Sequence, residues 1–497
     1  MASSPHTLRF MLDGERVSVV EPAPTTTVLD YLRDTLGRRG TKEGCAEGDC
    51  GACTVVLGEL DAANRRVRYR AVNSCIRFLP TLDGKELITV ESLQQPAGGL
   101  HPVQQSMVDN HASQCGFCTP GFVMSLFALY LNRAAAQRTD VLEALAGNLC
   151  RCTGYRPIID AGMRQWNYPA PPHWSREDSQ SAARLAGLER VARDSGGAAS
   201  LKLANYQAPR SLDELAEALE AEPDSVLLAG GTDVGLWVTK QLRQLPALVY
   251  LGDVPELSRI DVRPHELQIG AAVTLTDAWP ALTQRFPALI EQANRFASPP
   301  IRNSATLCGN LANGSPIGDS IPAMLALGAE LELRCGADVR RVPLENFYLG
   351  YMKNALRPGE FVTAVAIPLP ADDQILASYK VSKRIDQDIS AVCATFCIRA
   401  AGEQVLTARL AFGGLAGIAS RARHAESALL AHGWTADGVE ASIAALAGDF
   451  KPLSDLRAGS AYRLRAAGNL LRRCFLETQH PRTAMRTHDA LLEVQAP

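Results

Sequence analysis

No stretch of this chain is apolar for long enough to cross a membrane. The longest such run, GFVMSLFALYL at 121–131, stops well short of the roughly 20 residues a spanning helix needs. Neither sign of charge dominates: the net charge is −3, which leaves no electrostatic footprint for nucleic acid. The opening MASSPHTLRFMLDGERV lacks the basic, apolar and small-residue succession of a signal peptide, so a cytoplasmic location is expected. There is no internal repeat of the kind that builds solenoids or propellers. No GxGxxG follows a predicted strand, so a Rossmann dinucleotide site is not supported.

What the chain has is length and cysteine. At 497 residues it is too long for one core and suggests about three domains. Its 46% hydrophobic and 21% charged composition is that of a soluble globular protein. The 13 cysteines are odd in number and tightly spaced, which argues against a disulfide framework and for metal or redox sites in a reducing compartment.

Residues 7–20 read as two alternating strands turned at Asp13-Gly14. Thr27-Val28-Leu29-Asp30 has the form of a capping box opening a helix to about Leu36. TVVLGEL and RVRYRAV read as further strands, giving a small β-rich domain over residues 1–90. Apolar residues at helical spacing in VQQSMVDNHA, GFVMSLFALYLNRA and VLEALAGNLC then predict a helical bundle over 91–167. Residues 168–198, beginning YPAPPHWSREDSQSAARL, read as a polar surface linker whose second half has loose helical character. From 199 to 375 strands and helices alternate, with SLDELAEALEAE opened by Ser211 and Glu214. A final α+β stretch, 376–497, contains the strands SAVCATFCIRA and VLTARLAFGGL.

The cysteines fall into two sets of four. Cys45-x4-Cys50-x2-Cys53 with a distant Cys75 has the plant-type [2Fe–2S] spacing. Soft thiolates suit sulfide-bridged ferric iron, and Gly44, Gly48 and Gly51 let the backbone wrap close and aim N–H groups at sulfur. Structural zinc is the alternative, but zinc sites pair two short CxxC units and fit an x4 gap poorly. Cys115-x2-Cys118 and Cys150-x-Cys152 form the second set. Here zinc suits the CxxC better. Cys118 precedes a helix and Cys150 is expected to end one, where free backbone N–H groups can face an anion. Cys335, Cys393, Cys397 and Cys474 have no cluster spacing and are expected to be buried, inert thiols.

Two Gly-rich runs stand out in the later half. Leu227-Leu228-Ala229-Gly230-Gly231-Thr232-Asp233-Val234 follows an apolar strand and can cradle a pyrophosphate on bare N–H groups. The second spans Ala305–Asn310 and Asn313–Asp319. Either run by itself also reads as an ordinary surface turn.

CAEGDCGAC and QCGFCTPG…CRCTGYRP resemble the iron–sulfur half of the molybdenum hydroxylases, over residues 6 to about 165. The resemblance implies an α+β multidomain chain. Its parts are a β-grasp [2Fe–2S] ferredoxin domain, a four-helix-bundle [2Fe–2S] domain, and a two-part FAD domain of the vanillyl-alcohol-oxidase (PCMH) type. A C-terminal domain like that of the CO dehydrogenase flavoprotein completes it. The resemblance places flavin contacts at Leu227, Leu228, Ala229, Gly230, Gly231, Thr232, Asp233 and Val234, at Phe296, at Thr306, Leu307, Cys308, Gly309 and Asn310, and at Asp319, Val362 and Lys380. Asp319 suits a ribose or ring hydrogen bond, and Lys380 a reduced flavin or phosphate. Cys308 stands where the family usually has glycine, so slight crowding of that turn is expected. Lys383–Asp388 resembles the family's charged loop near the flavin ring, which implies a gate for the electron acceptor.

The chain ends at Pro497, leaving no room for a molybdopterin domain, so that domain is expected on a large partner subunit, in an (αβ)2 heterotetramer. The arrangement resembles the small subunit of two-subunit bacterial members of the family. It implies purine hydroxylation at the partner's molybdenum, with electrons passing through the bundle cluster, then the ferredoxin cluster, to FAD and NAD+. No catalytic residue is expected on this chain.

Overall fold

Asp13 and Gly14 both take positive φ, 53° and 87°, the pair a two-residue hairpin requires. They join β1 (Thr7–Leu12) to β2 (Glu15–Val20) at the start of the computed structural model, which describes residues 6–61, 64–95, 98–195, 200–371 and 373–479. These form two units: Met1–Pro255 with Ser298–Ala305, and Glu256–Ala297 with Thr306–Pro497.

In the first unit, β3 (Thr54–Asp61), β4 (Arg66–Asn73) and β5 (Glu86–Ile88) complete a sheet of order β2-β1-β5-β3-β4. Only β1 and β5 run parallel, which is the β-grasp pattern. Thr27 caps the expected helix, its hydroxyl accepting from Asp30 N at 3.1 Å; the helix widens into a π turn over Tyr31–Thr35.

The four bundle helices are Pro102–Asp109, Thr119–Asn132, Arg138–Leu145 and Arg156–Arg164. The second is apolar all round, with Phe122, Leu126 and Phe127 fully buried, so it can only be the central helix. His101 caps the first: its Nδ1 accepts from Val103 N at 3.2 Å, and Nε2 lies 3.2 Å from the Trp174 carbonyl.

Residues 168–195 of the expected 168–198 linker do not form a surface linker. Trp174 is 0% exposed, and the Arg184 guanidinium lies 3.5 Å over its ring. Gln180 hydrogen-bonds both backbone groups of Val67, at 3.0 and 2.8 Å, and the helix Ala182–Asp194 follows. Polar composition concealed the docking because the polar groups bond to a strand edge rather than to water. Residues 196–199 lie outside the described residues.

The segment expected as one FAD domain over 199–375 is shared between the two units. Strands β6 (Leu201–Leu203), β7 (Tyr206–Ala208), β8 (Val226–Leu228) and β9 (Leu248–Tyr250) belong to the first. The reason is a common core: Leu201, Tyr206, Leu228 and Leu248 cluster with Leu8, Phe10, Val55 and Leu87 of the β-grasp sheet.

The second unit holds β10 (Ile260–Val262), β11 (Glu266–Gly270), β12 (Glu330–Cys335), β13 (Asp338–Pro343), a hairpin of β14 (Tyr348–Gly350) and β15 (Lys353–Asn354), and β16 (Phe361–Pro368). Its main sheet is antiparallel, in the order β10-β11-β16-β12-β13. A meander of β17 (Gln374–Val381), β18 (Val392–Ala401), β19 (Gln404–Gly413) and β20 (Ser420–Arg421) follows, packed by the helices Arg423–His432, Ala436–Asp449 and Ser460–Gln479.

Candidate functional site

The loop entering β3 wraps the Cys45 sulfur. Cys45 Sγ accepts from the backbone N–H groups of Glu47, Asp49 and Cys50 at 3.4, 3.3 and 3.3 Å. Hydrogen bonds from the Cys50 and Cys75 thiols hold Cys45 well below the ordinary thiol range, while the same bonds push Cys50 and Cys75 above it. Cys53 is lowered, chiefly by Cys75. All four expected ligands therefore meet, with Cys53 and Cys75 buried and Cys45 and Cys50 partly exposed. Cys45 and Cys53 are thus inclined to the thiolate form, with Cys50 and Cys75 as their thiol donors.

The second set also assembles in pairs: Cys115 with Cys152, and Cys118 with Cys150. Cys118 occupies the N-cap of the central bundle helix. Cys150 does not end a helix, as the sequence suggested. The helix stops at Leu145, and Cys150 lies in the turn beyond, where the chain must double back. Its sulfur sits 3.2 Å from Thr153 Oγ1 and its N–H donates to Tyr155 Oη at 3.0 Å. Burial raises the Cys150 thiol, but the hydroxyl and N–H of Thr153 outweigh it and the net shift is down. Thr153 and Tyr155 escaped sequence reading, since a threonine and a tyrosine in a turn carry no distinctive spacing.

Among the described residues, no three His, Cys, Asp or Glu side chains have the arrangement of a site for a single metal ion. The paired sulfurs match what a two-iron cluster asks of four cysteines, two for each iron.

The two cysteine loops touch. Leu149 N donates to Cys50 O at 3.0 Å, and Asn148 Nδ2 donates to Gly51 O at 3.1 Å while its Oδ1 accepts from Ser125 at 2.6 Å. Gly51 has φ +69°, and a Cβ there would lie 2.2 Å from Gly147 O, so only glycine admits this contact.

The flavin candidates divide between the units. In the first, Leu227 and Leu228 end β8, Ala229–Asp233 turn, and Val234 begins the helix Val234–Thr239. A Cβ on Gly230 would lie 2.0 Å from Ser304 O, so the bare backbone there is a packing requirement.

In the second unit, Thr306 Oγ1 accepts from Gly309 N at 3.0 Å and opens the helix Leu307–Asn313. Cys308 lies in the first turn of that helix. The thiol is 1% exposed and points at Ile269 O, 3.6 Å away, and burial raises it to about 12. Asn310 Oδ1 accepts from Ser320 at 2.6 Å. Phe296 packs against Trp279 at 5.7 Å, and Val362 pairs with Leu333 beside a bulge in β12.

Asp319 and Lys380 meet directly. Lys380 Nζ donates to Asp319 Oδ2 at 2.7 Å, Ser390 Oγ donates to Oδ1 at 2.6 Å, and both charged side chains are under a tenth exposed. Lys380 is thus a neutralised partner rather than a free cation. Ser390, and Arg295, whose carbonyl accepts from Lys380 Nζ at 2.9 Å, carried no sequence signal.

In the charged loop, Lys383 Nζ donates to Leu456 O at 3.1 Å. Of the other cysteines, Cys393, Cys397 and Cys474 are buried as expected, but Cys335 is exposed because β12 ends there in a turn.

Two thiolate quartets ahead of a Gly-rich α+β half define an iron–sulfur flavoprotein. Four family descriptions match in order: "2Fe-2S iron-sulfur cluster binding domain" at 10–79, "[2Fe-2S] binding domain" at 89–163, "FAD binding domain in molybdopterin dehydrogenase" at 200–370 and "CO dehydrogenase flavoprotein C-terminal domain" at 377–478. Carbon monoxide dehydrogenase from Hydrogenophaga pseudoflava is similar at 30% identity and TM-score 0.51, over 54% of this chain and 94% of that one. Xanthine dehydrogenase of Emericella nidulans is 32% identical over 99% of this chain, and xanthine dehydrogenase 1 of Arabidopsis thaliana is 32% identical over 88%. The chain spans 39% and 37% of the lengths of those two relatives. The chain belongs to the molybdenum hydroxylase family, as its iron–sulfur/FAD part.

Proposed function

We propose that the chain is the electron-transfer subunit of a xanthine dehydrogenase. In this reading it takes electrons from a molybdenum centre on a molybdopterin-binding large subunit and delivers them to NAD+, as hypoxanthine is converted to xanthine and then urate. The observation that carries the reading is similarity to a xanthine dehydrogenase along 99% of the chain, both cysteine quartets included. An (αβ)2 assembly in the cytoplasm goes with it, where a reducing environment keeps 13 free thiols reduced.

Cys45, Cys50, Cys53 and Cys75 would hold one [2Fe–2S] cluster, and Cys115, Cys118, Cys150 and Cys152 the other. The flavin contacts would be those placed by family resemblance, from Leu227–Val234 to Lys380. When bound, the clusters carry single electrons and the flavin exchanges them in pairs. The protein's own part is to supply thiolates, aim N–H groups at sulfur and keep buried charge balanced, as at Asp319–Lys380.

A second reading is favoured by similarity to quinoline 2-oxidoreductase from Pseudomonas putida 86, at 27% identity and TM-score 0.50 over 55% of this chain and 95% of that one. It is the equivalent subunit of a hydroxylase for an aldehyde, nicotinate or another heterocycle. Co-purification with the molybdopterin-bearing partner and assay of xanthine-dependent NAD+ reduction separates the two. Turnover of purine supports the first reading; turnover of an aldehyde or heterocycle with none of purine overturns it. Four irons and one FAD per chain are expected on analysis, whereas zinc without flavin would sink both. Cys150→Ser is expected to abolish one cluster's EPR signal and xanthine-dependent NAD+ reduction, yet to spare NADH oxidation by artificial acceptors.

A further inference from the structure

We propose that Thr239 is a positioning residue for the first cysteine quartet and sets the reduction potential of the cluster it holds. The proposal rests on reading that quartet as a [2Fe–2S] site. The helix Val234–Thr239 leaves the Gly230–Gly231 turn, and its Leu236 packs into a small apolar cluster with Leu29, Cys53, Cys75 and Ile76. Its far end grips the cysteine loop. Thr239 Oγ1 donates to Ala46 O at 2.8 Å, a shorter reach than the 3.1 Å to Gly235 O within its own helix. Lys240 Nζ donates to Cys45 O at 2.9 Å.

The Ala46 carbonyl and the Glu47 N–H belong to one peptide group. That group is planar and trans, so its C=O and N–H point in opposite directions. Holding the carbonyl on Thr239 therefore aims the N–H the other way, and the structure shows it on Cys45 Sγ at 3.4 Å. Ala46 has φ 55°, a left-handed conformation that a residue with a Cβ does not adopt unaided. Released from Thr239, the peptide is free to rotate toward ordinary φ, and the N–H turns off the sulfur. The Asp49 and Cys50 donors come from other peptides and remain.

An N–H aimed at a ligating sulfur favours the more negative, reduced cluster. Losing one of three such donors lowers the midpoint potential. The hydroxyl polarises the peptide as well, strengthening the donor while it is held. Lys240 reinforces the grip but is half-exposed and pairs with Glu47 at 3.4 Å, so its charge is largely screened.

The test is an EPR-monitored redox titration of the holoenzyme with its partner, following both clusters, on the parent, Thr239→Val and Thr239→Ser. Thr239→Val is expected to shift the midpoint of the Cys45/Cys50/Cys53/Cys75 cluster downward, with the second cluster unmoved and four irons retained. Thr239→Ser, which keeps the hydroxyl, is expected to match the parent. An unchanged midpoint in Thr239→Val overturns the proposal. Loss of this cluster in Thr239→Val but not in Thr239→Ser supports it; loss in both assigns the residue to packing and overturns it. A parent lacking a [2Fe–2S] signal sinks the cluster reading itself, a result separable from the others by iron analysis alone.

Discussion

Asp319 is where the chemistry of a single residue is most constrained. One carboxylate oxygen takes Lys380 and the other Ser390, all three deep in the second unit. A buried ion pair adds little stability over apolar residues, but a buried charge left alone is expensive. Lys380→Met is expected to destabilise by about 3–5 kcal/mol. A thermal melt should show a lower first transition than in the parent, and adding Asp319→Asn should recover part of the loss. A double variant no better than the single one would mean the pair is not coupled. Sequence resemblance pointed to both residues but not to their contact, because they lie 61 positions apart.

At the scale of elements, the bundle meets the β-grasp domain through a backbone interlock of Gly51, Asn148 and Leu149. Gly51→Ala puts a methyl carbon against Gly147 O in a left-handed conformation, so the loops must part. Lower iron content and broadened EPR signals from both clusters are expected. Asn148→Ala is milder: it strands Ser125 Oγ, at about 1–3 kcal/mol, while Gly51 O keeps its bonds from Thr54 N and Thr54 Oγ1. Retention of parental melting behaviour in Asn148→Ala would show that the interlock is carried by the backbone alone. The elements themselves were largely legible. Thr27 and Ser211 cap where predicted, and the helical spacing of 121–131 marks a buried helix. The stretch at 168–195 was not, since its buried anchors, Trp174, Leu188 and Val191, are scattered through a polar run.

Over the first unit as a whole, buried titratable groups set opposing pH dependences. Burial pushes Asp83 up to about 6 and Glu86 up to about 7. The folded state thus binds protons more tightly than the unfolded chain, so this stability is full below about pH 4 and is lost as pH rises through 6 to 7. For Glu86 the change amounts to roughly 3 kcal/mol. His101 works in the other direction: burial lowers it to about 4, and its contribution is present above pH 6.5 and lost as pH falls through 4. Glu86→Gln is expected to melt higher than the parent at pH 8 and to differ little at pH 5. Parallel pH profiles for the two would remove Glu86 as a source of the dependence.

The sequence by itself determined the chemistry: eight cysteines in two spacings, the family they belong to, and the order of domains. Ligand spacing along a loop is local, and local pattern survives in one dimension. Only the tertiary structure decided which groups answer each other over distance. The hydroxyl at 239 orients a peptide at 46, Lys380 spends its charge on Asp319, and a polar segment packs beneath Trp174 as part of a core. Such pairings depend on the close approach of segments far apart in the chain, and neither composition nor periodicity records which segments will meet.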